Sequence, residues 1–280
     1  AGVSQKKVEA ASTGKLSVTG YQDYSDAQKI LKEVNKYRKK NGRKALKMDR
    51  GLTNSAIMRG FETTIYIPET SPHRRPNGKL SKSINKKIIY ENCAQSAGTT
   101  PKQIVKGWIN SSTHRKGLLL SNAKSVGVAA VTVVSRDGYE ANTWVLDFSS
   151  SKAKKVEKSK ARKQFTKNIV TKNSYLKKSY LKLDSRYGTI WETEKMQMKP
   201  TYQGKMMKEY GVYPTVINTS SFTSWKSSNP SVASVDSNGR ITGNKAGTAT
   251  ISAKLKTGTK ITISKKIKVV PTNQQIDPWE

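Results

Sequence analysis

The chemistry open to this chain gathers around two histidines, the only two in the sequence. His73 lies in Pro72-His73-Arg74-Arg75-Pro76-Asn77-Gly78, and His114 stands near the end of Trp108-Ile109-Asn110-Ser111-Ser112-Thr113-His114-Arg115. Between them runs Tyr90-Glu91-Asn92-Cys93-Ala94. A histidine beside a cysteine can work as a nucleophilic couple, the imidazole taking the thiol proton. Cys93, the single cysteine, sits in an apolar, strand-like stretch, where a free thiol reads as a small buried hydrophobe. Ser111 and Ser112 neighbour His114, but no Gly-x-Ser-x-Gly elbow is present, so they read as a helix end rather than part of a triad. Taken singly, each histidine fits a surface or core position as well as a ligand position.

These residues need a frame, and hydrophobic periodicity supplies one. Ile30, Leu31, Val34 and Tyr37 fall on one helical stripe, with Ser25 as the expected N-cap and Asn41-Gly42 as the stop. Leu52, Ala56, Phe61 and Ile65 predict a second helix. Residues 68–87, rich in Pro, Ser, Asn and Lys, predict a long loop that carries His73. Thr100 and Gln103 form a capping box with Pro101 at the first helical position. Ile104, Val105, Trp108 and Ile109 give this third helix its apolar face. The pattern then turns to strand: Val126 and Val128, residues 131–134, an Arg136-Asp137-Gly138 turn, and a return through Thr143-Trp144-Val145-Leu146. Helices followed by hairpin-linked strands predict an α+β domain that ends near Ser150.

The 280 residues have room for two ordinary domains. The longest nearly apolar run covers residues 126–134, well short of the roughly 20 that a membrane span needs. One cysteine excludes an internal disulfide framework. Lys+Arg 52 against Asp+Glu 19 gives a net charge of +33. The stretch 151–182 is the extreme, with 12 basic residues and 1 acidic. Such a chain is drawn to polyanions: acidic wall polymers, acidic glycans, anionic lipid surfaces or nucleic acid. The absence of a zinc finger, an RNP-type aromatic motif or a recognition helix argues against nucleic acid. The bland reading of the charge is a Lys-rich solvated surface. The chain begins at Ala1 without a basic-then-apolar leader, which suggests a mature form with its export signal removed.

Three segments, in order, resemble the CAP superfamily (cysteine-rich secretory proteins, antigen 5 and pathogenesis-related 1) in its bacterial SCP-like form. His73-Arg74-Arg75-Pro76-Asn77-Gly78 is similar to His-Thr-Arg-Pro-Asp/Asn-Gly, and Glu91-Asn92-Cys93-Ala94 to Glu-Asn-Ile-Ala. Residues 108–119 are similar to Trp-Met-Asn-Ser-x-x-His-Arg-x-x-Ile-Leu. Val126-Gly127-Val128 and Trp144-Val145-Leu146-Asp147-Phe148 also fit. The resemblance implies an α/β/α sandwich with a cleft lined by two histidines and two glutamates. His73, His114 and Glu91 match three of these. Glu62 is the expected fourth, with Glu69 as the alternative. Two imidazoles facing such a cleft can bind Zn²⁺ or another divalent cation through neutral nitrogens. Glu91 would then orient an imidazole or accept a proton from bound water. The sequence departs from the pattern at Pro72, Tyr90 and Cys93, where Ser, Gly and an aliphatic residue are usual. No residue is assigned a catalytic role. The resemblance implies a ligand-binding protein, with a metal-dependent hydrolase of peptide or cell-wall substrates as the alternative.

Beyond residue 165, short β-rich segments recur between turn signals, which argues for a β-sandwich. The run from Trp225 to Asp236, with Asn238-Gly239, Gly243 and Ala246-Gly247 behind it, resembles the bacterial Ig-like group 2 domain. Trp225, Val232 and Val235 are expected to point into its core. Such domains imply a spacer or an adhesion module with a host or surface ligand. The expected organisation is therefore a tail (1–22), the CAP-like α/β/α domain (23–150), a Lys-rich linker (151–182), an Ig-like all-β sandwich (183–271) and a short tail (272–280). The expected location is extracellular, secreted or wall-associated, with retention on anionic wall polymers or acidic glycans.

Overall fold

The structure, a computed structural model, describes residues 12–65, 73–185 and 187–276. The N-terminal part is a sandwich around one sheet. Its strands are β1 (Thr13–Asp23), β2 (Lys47–Met48), β3 (Ile88–Ser96), β4 (Ser125–Val134), β5 (Glu140–Ser149) and β6 (Arg162–Lys172). They lie in the order β3-β5-β4-β1-β6, and β2 pairs with β4. Helix α1 (Tyr24–Lys40) covers one face with α3 (Pro101–Asn110) and α4 (Ser112–Leu118), while α2 (Arg50–Ile65) covers the other.

The apolar run at residues 126–134 is thereby explained. Val126, Val128 and Ala130 of β4 pack with Ile30 and Trp108 on one side. Ala129, Val131 and Val133 pack with Ala56 and Phe61 on the other. A strand buried on both faces has no polar side to alternate with. The capping box of α3 forms as the sequence predicts, with Thr100 and Gln103 exchanging bonds. The cap of α1 differs. Asp23, not Ser25, is its N-cap and accepts from the Asp26 amide at 2.8 Å, because β1 runs directly into the helix and places Asp23 at the turn.

Two stretches expected as tail and linker are paired strands. β1 occupies most of the described part of the expected tail, and β6 lies inside the expected Lys-rich linker. They pair antiparallel along their whole lengths, from Thr13 opposite Lys172 to Asp23 opposite Arg162. Arg162, Lys163 and Lys167 stand on this outermost strand. Charges on an edge strand hinder pairing with a second chain. Its composition therefore reads as a linker although the strand pairs with β1 along its whole length.

The C-terminal part holds β7 (Leu181–Asp184), β8 (Thr189–Trp191), β9 (Lys195–Gln197), β10 (Lys199–Tyr202), α5 (Lys205–Glu209) and β11 (Thr215–Val216). β12 (Phe222–Ser227), β13 (Ala233–Val235), β14 (Arg240–Gly243), β15 (Gly247–Leu255) and β16 (Thr262–Val270) complete it. Sheets β12-β15-β16-β8 and β13-β14-β9 make the Ig-like sandwich, and β11-β10-β7 is a small third sheet. Val232 is buried as expected, while Val235 is half-buried. Trp225, also half-buried, packs against the same core, edge-on to Phe222 and over Gly239, whose φ of +72° makes the tight turn beneath the indole.

The second part is fixed to the first. The Ser17 amide donates to Ser221 Oγ at 2.8 Å, and the Asn218 amide donates to the Ser17 carbonyl at 2.8 Å. Asn218 Nδ2 also donates to Ser17 Oγ and Thr19 Oγ1. The apolar cluster beneath α2 continues through Leu176 and Leu181 into the Ig-like core. A shared core and strand-to-strand bonds make a single body, where a linker would have allowed free rotation.

Candidate functional site

β3 is the end strand of the sheet, so helices from both layers can reach its residues. Alternation along the strand sends Glu91 and Cys93 toward α2 and Asn92 toward α4. Asn92 Nδ2 donates to the His114 carbonyl at 2.9 Å, and the Tyr90 hydroxyl donates to the Thr113 carbonyl at 3.0 Å. These bonds tie α4 to the strand. Tyr90 thus uses its hydroxyl where the family pattern has glycine.

The sequence expected four residues here; three of them, His73, Glu91 and Glu62, are linked through a fifth, Arg59, and His114 stands outside that network. Arg59 of α2 is fully buried between two glutamates. Its Nε and Nη2 donate to Glu91 Oε2 and Oε1 at 2.8 and 3.1 Å. Its Nη1 donates to Glu62 Oε2 at 2.8 Å, one helical turn away. Arg75, from the histidine loop, pairs with Glu62 Oε1 at 2.7 Å through Nη2. His73 Nδ1 is 3.0 Å from Glu91 Oε1. His73, Glu91, Arg59, Glu62 and Arg75 therefore form one chain of charge-assisted bonds that pins the histidine loop to α2 and β3. Glu69 lies outside the described residues.

The electrostatics follow from burial and pairing. Burial pushes the Glu91 carboxyl up, but hydrogen bonds from His73 and Arg59 and the charge of Arg59 outweigh it and hold it at about 2. Burial also works against the Arg59 charge, yet Glu91 and Glu62 more than compensate and raise its pKa. Asp147 sits directly across from Glu91 on β5 and is fully buried. Neither of its carboxyl oxygens has a hydrogen-bond partner among the described residues. Burial, then the Glu91 charge, push its pKa well above the usual range, so the proton stays on. The Cys93 thiol is pushed up for the same two reasons and stays protonated near neutrality. A nucleophilic Cys/His couple is therefore poorly served, since the thiolate is the reactive form.

His114 hydrogen-bonds through Nδ1 to Ser111 Oγ at 3.0 Å. Burial, then the charge of nearby His73, lower its pKa, so it is a neutral imidazole at pH 7. Each histidine is thus held through Nδ1, His73 by a carboxylate and His114 by a hydroxyl. That is the usual way a protein orients an imidazole ligand. One grouping of donor atoms could hold a metal ion: ligand atoms of His73, Glu91 and Cys93 all lie within 4.8 Å of one another. His114 is not in that trio, and Cys93 was not expected in it.

Arg59 and Asp147 are the site residues that sequence reasoning passed over. The signal for Arg59 was present in Arg59-x-x-Glu62, a charged pair at helical spacing on a helix whose other faces are apolar or small. Asp147 carried a weaker one, a lone carboxylate inside a run that is otherwise apolar.

Residues 31–148 match the Cysteine-rich secretory protein family (CAP), and residues 203–267 match the Bacterial Ig-like domain (group 2). Over 130 residues the chain is 31% identical to the uncharacterized protein YkwD of Bacillus subtilis, a match covering 45% of this chain and 48% of that one. The chain therefore spans about half the length of the curated relative it matches. Among solved structures, an extracellular protein containing a SCP domain from Bacillus anthracis is 19% identical, with a TM-score of 0.35 and coverage of 45% of this chain and 41% of that one. An outer surface protein of Borrelia burgdorferi is 20% identical, with a TM-score of 0.37 and coverage of 48% and 99%. Intimin of enterohaemorrhagic Escherichia coli O157:H7 is 23% identical, with a TM-score of 0.23 and coverage of 33% and 46%.

Proposed function

We propose that this chain, a CAP domain with a bacterial Ig-like domain fixed to it, is an extracellular binding protein. Its cleft takes a divalent cation, zinc or a similar ion, through His73 and His114. The observation that carries this is the paired anchoring of the two imidazoles, His73 by Glu91 and His114 by Ser111. A bound cation supplies an open Lewis-acid position for an oxygen ligand. Glu91 orients His73, Ser111 orients His114, and Arg59 holds Glu91 charged against burial.

The alternative, a metal-dependent hydrolase of peptide or cell-wall substrates, asks Glu91 to take a proton from water. A carboxyl held at about 2 by His73 and Arg59 is a weak base at neutral pH. Its charge is already engaged, and binding is the better reading. Calorimetric titration with Zn²⁺ tests it. Wild type should bind one equivalent, His73→Ala/His114→Ala should bind none, and Ser111→Ala should bind about tenfold or more weakly. Absent binding, or binding untouched by the double substitution, would overturn the proposal.

The same reading places the protein on anionic wall polymers or acidic glycans. The support is the +33 charge and its placement. Arg162, Lys163 and Lys167 line the exposed edge strand β6, and Lys79, Lys82 and Lys86 surround the exposed Leu80. No helix among the described residues is long and apolar enough to cross a membrane. Protein retained on isolated cell walls should elute as NaCl rises from about 0.1 to 1 M, where the screening length falls from about 10 to 3 Å. Retention insensitive to salt would count against charge as the cause. The Ig-like domain, locked to β1 through Asn218, then acts as a rigid spacer or an adhesion surface for a host or surface ligand.

A further inference from the structure

A second cavity, lined by none of the cleft residues, lies where the two domains meet. It has a volume of about 270 Å³. The sheet supplies its floor through Val133 and Thr143, α2 contributes Thr64 at its last turn, and the 211–215 segment of the C-terminal part closes it from above. Thr215 Oγ1 donates to the Thr64 carbonyl, and Ser135 bridges to Thr215, so the roof is bonded to the floor. At the mouth, Tyr139 of the β4–β5 turn stacks flat on Tyr213, with centroids 4.5 Å apart and planes 9° apart. Both tyrosines are more than half exposed.

Two features say what this cavity takes. Among the described residues lining it there is no lysine or arginine, in a chain with 52 of them. Its one carboxylate, Glu140, is paired with Arg162 at 3.4 Å. Anionic polymers have nothing to hold here. The second feature is Thr143. It is 1% exposed, and its hydroxyl has no hydrogen-bond partner among the described residues. A buried hydroxyl left unpaired is costly, and a ligand that pairs it removes the cost. The volume sits at the small end of the range for ligand pockets, roughly 300–1,000 Å³. It suits one flat ring system and excludes a polymer.

We propose that this interdomain cavity binds a small, uncharged, largely apolar ring compound whose polar edge bonds to Thr143 Oγ1 while its face extends the Tyr139–Tyr213 stack. Because 211–215 belongs to one domain and Tyr139 to the other, the site exists only while the domains stay locked.

Saturation-transfer NMR on the full chain tests this, with indole as the probe and N-acetylglucosamine as a neutral, hydroxyl-rich comparison. Indole should bind saturably at one site, and N-acetylglucosamine should not. Thr143→Val should weaken indole about tenfold, the worth of one hydrogen bond, yet raise the melting temperature of the free protein because the orphan hydroxyl is gone. Tyr213→Ala, at an exposed position, should weaken indole without unfolding the chain. His73→Ala/His114→Ala should leave indole binding unchanged, which separates this site from the metal cleft. Absent saturation, a preference for N-acetylglucosamine, or affinity unmoved by both Thr143→Val and Tyr213→Ala would overturn the proposal.

Discussion

Arg59→Met should destabilise the protein by about 3–5 kcal/mol, the range for stripping one partner from a buried ion pair. Methionine fills much of the same volume, so lost packing is a minor part of the effect. The main cost is two carboxylates, Glu62 and Glu91, left in a site that burial makes hostile to charge. Arg75 still reaches Glu62, whereas Glu91 keeps only the part-exposed His73 among its charged partners. Glu91 should therefore take up a proton, and its hold on His73 should loosen. Denaturant unfolding of Arg59→Met and of Arg59→Met/Glu91→Gln measures this. The second substitution should recover part of the loss, because it removes the stranded charge. A single substitution that stays within about 1 kcal/mol of wild type would mean that Arg59 is not the keystone of the cleft.

Gly127→Ala should cost about 3 kcal/mol or more, through backbone rather than charge. α2 crosses β4 so closely that a Cβ at Gly127 runs into the Leu52 carbonyl and comes within 2.7 Å of the Thr53 amide. Both are main-chain atoms of the helix, and no rotamer change relieves the clash. Overpacking against flexible side chains costs about 1–3 kcal/mol, so a clash with a helix backbone belongs at or above the top of that range. α2 would have to lift from the sheet, carrying Arg59 and Glu62 with it, so metal affinity should fall along with stability. Gly107→Ala is the control. It lies inside α3 with nothing within 4 Å of its would-be Cβ. There alanine's better helix propensity should raise stability, by up to about 1 kcal/mol. Opposite signs for one substitution at two glycines, read by calorimetry, separate close approach from propensity; equal signs would refute the account of the α2–β4 contact.

The cleft and the chain's basic surface impose different demands. The charge network around Arg59 is buried and largely insulated from salt, while the lysines of β6 and of the Leu80 region are exposed and screened. Salt should therefore release the protein from anionic polymers without dissolving the metal site.

Much of this protein is written in local patterns. A helix closes its hydrogen bonds within four residues, so the α1 stripe, the α2 apolar set and the Thr100–Gln103 capping box were all readable. The Arg136-Asp137-Gly138 turn and its flanking strands were readable for the same reason. The motifs around His73, Glu91 and His114 marked candidate site residues, and the glycine-punctuated run after Trp225 identified the Ig-like domain.

What only the tertiary structure decided is what depends on distant partners. β1 and β6 pair residues 139 to 159 positions apart, and β6 exposes most of its first half on both faces, so neither periodicity nor composition marks it as a strand. Arg59 pairs with Glu62 at helical spacing, but its second partner, Glu91, arrives only when β3 packs against α2. Asp147 keeps its proton because the fold buries it and sets Glu91 opposite on the neighbouring strand. The fixed angle between the domains, and the cavity it encloses, arise from Asn218 meeting Ser17 and Tyr213 meeting Tyr139. The sequence by itself determined the helices, the β4–β5 hairpin and the candidate residues His73, Glu91 and His114, because those follow from short-range spacing. Burial, charge pairing and strand neighbours come from contacts between residues far apart in the chain, and only the folded arrangement sets them.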